Sequence, residues 1–183
     1  WTKFKYSAIG GKMFSSSLIL ENNILFKNFK ICEDAYFLFE CYSKTSKISI
    51  SKSSGYCWLK NPTSATHTLN TRKSNSVFDV LKCIDANIDC SNFDKKLLSY
   101  FYLKSIVLDI LLAINDFSTD VLVKRFEDSI SWYKQFLKKN NLKFKTVYLK
   151  YETLKINFIV NTFVIFYKLK ILFVLIVLLK KGK

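Results

Sequence analysis

The stretch Lys47-Ile48-Ser49-Ile50-Ser51 alternates strictly, with Ile48 and Ile50 on one side of an extended chain and Lys47, Ser49 and Ser51 on the other. Side chains of a strand point to opposite faces in turn, so this period predicts a half-buried β-strand. Gly55 then offers a turn, and Tyr56-Cys57-Trp58-Leu59-Lys60 predicts a second, aromatic-rich strand ended by Asn61-Pro62. A polar loop from Thr63 to Thr71 follows. With these strands the first third of the chain reads as mixed α/β.

Toward the N-terminus the period changes. Glu33 and Asp34 open a segment in which Phe37, Leu38, Cys41 and Tyr42 recur at helical spacing, and acids in a first turn suit the positive end of the helix dipole. Before it, Phe14 to Phe26 predicts a short helix or turn, with Ser15, Ser16 or Ser17 available as a cap and Asn22-Asn23 as a turn. Beyond residue 72 the pattern is helical: Val77, Leu81 and Ile84 begin one helix, Leu97 to Ile114 form a second, and Val121 to Leu137 a third, with Ser118 or Thr119 as its N-cap.

The 183 residues carry 29 Lys and Arg against 14 Asp and Glu, a net charge of +15, and half of the side chains are hydrophobic. That is too apolar for a disordered polymer and long enough to bury a core. Lysine outnumbers arginine 27 to 2. Arginine is the residue that forks onto phosphates and base edges, so the composition argues against nucleic acid as a partner. Five cysteines without a C-x-x-C pair, and the single His67, offer no zinc quartet and read as reduced, mostly buried thiols of a cytosolic protein.

The charge is uneven, because residues 138–183 hold eleven Lys and one acid, Glu152. Within them Ile156 to Leu179 is a 24-residue run whose only polar members are Asn157, Asn161, Thr162, Lys168 and Lys170. Its length permits a membrane span, but each mid-run lysine would cost roughly 2.5 to 3.5 kcal/mol at a bilayer centre. Read as one helix, the run puts Lys150, Asn157, Asn161 and Lys168 on one narrow polar stripe. A helix lying in the interface of an anionic membrane surface fits best, ahead of a helix packed on the preceding ones or a true span.

Four pieces of the first 70 residues carry a resemblance. They are Gly11-Lys12-Met13-Phe14, Leu20-Glu21-Asn22-Asn23-Ile24-Leu25-Phe26, Glu33-Asp34-Ala35-Tyr36-Phe37, and Gly55 to Ser64 after the predicted strand. In this order and spacing they resemble the C-terminal, acceptor-side half of the catalytic domain of family 2 glycosyltransferases. The resemblance implies an incomplete GT-A (Rossmann-like) α/β domain over residues 1–71, followed by a mainly α-helical region, 72–147, and a basic, apolar, membrane-associated helix, 148–183.

It also implies chemistry. Asp34 matches the family's general base, which takes the acceptor hydroxyl proton during inverting transfer, with Glu33 beside it. Lys12, Trp58, Lys60 and Ser64 match positions on the substrate side, although the family's arginine is replaced by Lys60. His67 is a candidate ligand for a diphosphate-bound metal. The complete enzyme would be a hexosyltransferase using a nucleotide-sugar donor, Mg or Mn, and a saccharide or lipid-linked acceptor, in bacterial surface polysaccharide synthesis at the cytoplasmic face of the cell membrane. No Asp-x-Asp metal motif and no phosphate-cradling glycine loop occurs in the 183 residues. The chain, opening at Trp1, therefore reads as lacking a nucleotide-binding half and as inactive alone. The alternative is a non-catalytic membrane-surface or interaction protein derived from such an enzyme.

Overall fold

Helices make up the regular structure of the residues that this computed structural model describes, which are 9–29, 31–51, 55–57, 59, 77–145, 149–150 and 152–181. They are α1 (Ser16–Glu21), α2 (Glu33–Lys44), α3 (Val77–Asn87), α4 (Lys95–Ala113), α5 (Thr119–Lys139), α6 (Leu154–Lys168) and α7 (Leu172–Lys181). The α/β, Rossmann-like expectation is overturned: no strand occurs among the described residues. Contacts divide the chain into two units, Trp1–Phe93 and Asp94–Lys183.

The reason lies in where Lys47 spends its backbone. Thr45 Oγ1 donates to the Lys47 carbonyl and accepts from the Lys47 N–H, both at 3.2 Å, so a local side-chain turn takes both of the groups that a ladder would use. Ile48 and Ile50 are then 60% and 72% exposed, so the alternation has no buried face to serve. Trp58 and Lys60, in the second predicted strand, lie outside the described residues. Its described members Tyr56, Cys57 and Leu59 are exposed and in no strand.

In the first unit, α2 is the centre. Ala35 to Phe39 and Cys41 are buried, and Phe37 and Cys41 join Ile24 in a small core flanked by Ile9, Phe14, Leu18 and Ile19. Phe26 stacks on Phe37 with centroids 4.3 Å apart, and Phe14 meets the same ring edge-on at 5.4 Å. Short α1 ends where Asn22 Nδ2 donates to the Leu18 carbonyl at 3.0 Å and Asn23 turns left-handed at φ 49°. Val80, Leu81 and Ile84 give α3 its buried face against α2.

The second unit is a helical bundle with a cap at each main N-terminus. Asp94 accepts from the Lys96 and Leu97 N–H groups at the start of α4, Ser118 from Val121 at α5, and Thr153 from Ile156 at α6. Each side chain satisfies a donor that the helix cannot pair internally, worth about 1 kcal/mol. On α5 the buried residues Leu122, Phe126, Ile130, Tyr133 and Leu137 follow the helical period. Asp109 of α4 receives Arg125 of α5 as a fork, Nε to Oδ2 at 2.8 Å and Nη2 to Oδ1 at 3.0 Å.

The C-terminal apolar run is two helices rather than one. After Lys168 the Lys170 N–H donates to Tyr167 and the Ile171 N–H to Phe166, both at 3.0 Å, while Lys170 itself is left-handed at φ 60°. This pair of backward bonds is a helix-ending motif that usually carries glycine at the left-handed position. Asn157, assigned to a polar stripe from spacing, is buried instead. Its Oδ1 accepts from Tyr100 Oη at 3.0 Å and the Leu149 N–H at 3.1 Å, and its Nδ2 donates to the Leu149 carbonyl at 2.9 Å. Val160, Phe163 and Val164 of α6 and Leu172, Leu175 and Ile176 of α7 are buried in the unit. Among the described residues no helix is long and apolar enough to cross a membrane.

Candidate functional site

Three of the quoted pieces meet through their aromatic ends. Phe14 from the first and the half-exposed Phe26 from the second both pack on the buried Phe37 of the third, and this holds the start of α2 against the segment before α1. Cys32 precedes α2 in the left-handed region, φ 61°, with no side-chain cap bond to the helix. Asp34, in the first turn, turns its carboxylate to another strand of chain: Oδ2 accepts the backbone N–H of Ile9 at 3.1 Å.

Ile9 leads into the Gly10-Gly11 turn, closed by the Lys12 N–H donating to the Ile9 carbonyl at 3.2 Å. Tyr56 covers this turn. A Cβ on Gly10 would lie 2.5 Å from the exposed Tyr56 ring and would make that ring swing aside, and Gly11 has φ +74°. Residues 9–12, Asp34 and Tyr56, distant in sequence, are thus brought to one place. Glu33 and Lys12 are both half-buried beside it.

The positions Trp58, Lys60, Ser64 and His67 lie outside the described residues, so their relation to Asp34 is not part of this geometry. Sequence reasoning passed over Ile9, whose contribution is a backbone N–H and leaves no side-chain signature. It placed Tyr56 in a strand and in the last of the four pieces, without a role at the glycine turn. The signal for Tyr56 was available in the glycine pair, since adjacent glycines mark a close approach of something to the backbone.

Along the rest of α2 burial shifts the Tyr36, Cys41 and Tyr42 side chains upward. Burial raises the Tyr36 phenol, with the Glu40 carboxylate and Cys83 adding to it. Burial also pushes the Cys41 thiol up to about 11, again with help from Glu40. Such a thiol is protonated at neutral pH and belongs to the core rather than to nucleophilic chemistry. Among the described residues no group of three or more His, Cys, Asp or Glu side chains is placed to hold a metal ion.

Comparison with protein families, curated proteins and solved structures finds no match for this chain.

Proposed function

We propose that the chain is the acceptor-side part of an inverting glycosyltransferase of the family 2 kind, acting on a saccharide or lipid-linked acceptor at an anionic membrane surface. The observation that carries this reading is the convergence of the motif pieces: the aromatic cluster seats α2 so that Asp34 stands at the Gly10-Gly11 turn under Tyr56. Residues that resemble a site in order along the chain are also neighbours in space, which a chance run of matches does not require.

In the proposed step the Asp34 carboxylate takes the proton of an acceptor hydroxyl. The freed oxygen lone pair forms the new bond to the anomeric carbon, and the bond to the leaving nucleoside diphosphate breaks with its electron pair. The Ile9 N–H occupies Oδ2, which orients the carboxylate and leaves Oδ1 for the hydroxyl. The donor and its Mg or Mn ion enter only as what a nucleotide-binding half would bring.

Asp34→Asn tests the step within the full reading frame that contains this chain. The amide oxygen still accepts from Ile9, so the fold is expected to survive, while the base is removed. Glycosyl transfer from labelled nucleotide sugars should fall by about 100-fold or more, the low end of what a positioned base contributes. Unchanged transfer would exclude Asp34.

A second reading, a non-catalytic membrane-surface protein, draws on a different observation. Leu154, Phe158, Ile165 and Leu169 run down one outward face of α6 at exposures of 72%, 73%, 45% and 61%. Lys155, Lys168 and Lys170 flank them, a composition suited to an anionic bilayer surface. The two readings share this surface and differ in whether Asp34 does chemistry.

A further inference from the structure

Three lysines converge in the second unit. Lys134 of α5, Lys168 at the end of α6 and Lys170 between α6 and α7 line a cavity of about 530 Å3, walled by Phe144 and Tyr167, with Glu127 as its one acid. The volume is in the usual range for a small-molecule site. Lys134 Nζ stands 4.7 Å from the Tyr167 ring centroid and 5.3 Å from that of Phe144, and Lys168 Nζ lies 5.5 Å from the same Phe144 ring.

Two ammonium groups over one ring repel each other. Lys134 donates one proton to Tyr167 Oη at 3.0 Å, a neutral acceptor that leaves its charge in place. The ion pairs among the described residues are Lys82 with Asp79, Lys104 with Glu152 and Arg125 with Asp109, so none of the three cavity lysines is neutralised by one. All three lysines are exposed and solvated, and against a single carboxylate they give the cavity a net positive surface that attracts anions.

Lys170 adds an independent sign. It occupies the left-handed position of the turn, φ 60°, where glycine would be free of strain, and its side chain reaches the cavity. The ammonium group is a point donor without arginine's planar fork, which suits an anion presenting oxygens in several directions. On the remaining side the cavity is lined by Leu172 and Phe173, the latter half exposed, so an apolar body can extend from the anion.

We propose that this cavity binds a phosphoryl anion, a phosphate or diphosphate carried on an apolar body, held by Lys134, Lys168 and Lys170. The proposal does not depend on Asp34 acting as a base, and transfer assays on Asp34 variants leave it untouched.

The test uses the whole chain with two probes: inorganic diphosphate by titration calorimetry, and phosphatidylcholine vesicles with and without phosphatidic acid by sedimentation. Binding of diphosphate in solution identifies a soluble phosphoryl ligand; binding confined to phosphatidic acid vesicles identifies a lipid headgroup. Lys170→Gly relieves the backbone strain, so it is expected to fold and to melt no lower than the wild type, yet to bind about tenfold more weakly, the equivalent of one lost charge-assisted contact. The control Lys138→Gln with Lys139→Gln removes more charge from α5 away from the cavity and should cost about twofold or less, as exposed and salt-screened charges do. No binding of either probe, or a Lys170→Gly loss no greater than the control's, overturns the proposal.

Discussion

Asn157 shows how a single polar residue can hold a bundle together. Its amide ties α6 to Tyr100 of α4 and to both backbone groups of Leu149, so the buried side chain uses donor and acceptor alike. Removing it takes a partner at once from the buried Tyr100 hydroxyl and from both part-buried backbone groups of Leu149. Asn157→Ala should therefore lower the unfolding free energy by about 2 to 4 kcal/mol, beyond the cost of an ordinary hydrogen bond, as read from urea denaturation of the full chain. Spacing alone put this residue on a polar stripe because its partners lie far away in the chain.

Tyr133 and Cys41 make a pH prediction at the same scale. Burial pushes the Tyr133 phenol up to about 12, against a small opposing pull from its hydrogen bond with Ser99, and it pushes the Cys41 thiol up to about 11. Both folded values lie above the unfolded ones, so the neutral forms favour the native state. Their contribution is whole below about pH 8.5 and is lost as pH rises through the folded values. Stability measured by urea midpoint should thus be flat near neutrality and fall steadily between about pH 9 and 12. Tyr133→Phe should flatten the upper part of that fall.

Among the elements, α3 and α5 were legible because apolar residues at helical period leave one buried face, and α4 because its long apolar run is buried on several sides. Sequence gave Ser118 or Thr119 as the cap of α5, and the Ser118 side chain does the capping. The break between α6 and α7 was not legible. It lacks glycine, proline and asparagine, the residues that normally announce a helix end, and a lysine takes the left-handed position in their place. The strand reading of residues 47–51 failed for the opposite reason: period two was present, but Thr45 captured the backbone that a neighbour needed.

The outward face of α6 carries a prediction of its own. Phe158 is 73% exposed, and nothing in its own unit covers it. If that face enters a bilayer surface, Phe158→Ser should weaken sedimentation with phosphatidylglycerol-containing vesicles by about tenfold, corresponding to a buried aromatic worth roughly 1.5 kcal/mol. Equal sedimentation of the variant and the parent would remove α6 from the membrane reading.

For the molecule as a whole, the candidate site was legible in part. The acid pair stood out in sequence as part of the quoted pieces, and in the structure Phe14 and the half-exposed Phe26 pack on Phe37 while Asp34 accepts from Ile9, which flanks the same core. The basic cavity of the second unit was not legible, since Lys134 of α5, Phe144 beyond that helix and Tyr167 of α6 meet only in the folded unit. Its lysines had been counted as charges for a surface.

The fork of Arg125 on Asp109 has a bearing on which exchanges this sequence can take. Lysine holds 27 of the 29 basic positions, and arginine stands at this one. At residue 125 two nitrogens are committed to two carboxylate oxygens, and an ammonium group can serve only one of these contacts in the same geometry. An Arg125→Lys exchange is therefore expected to weaken this helix crossing, because one ammonium group cannot reproduce both contacts of the fork.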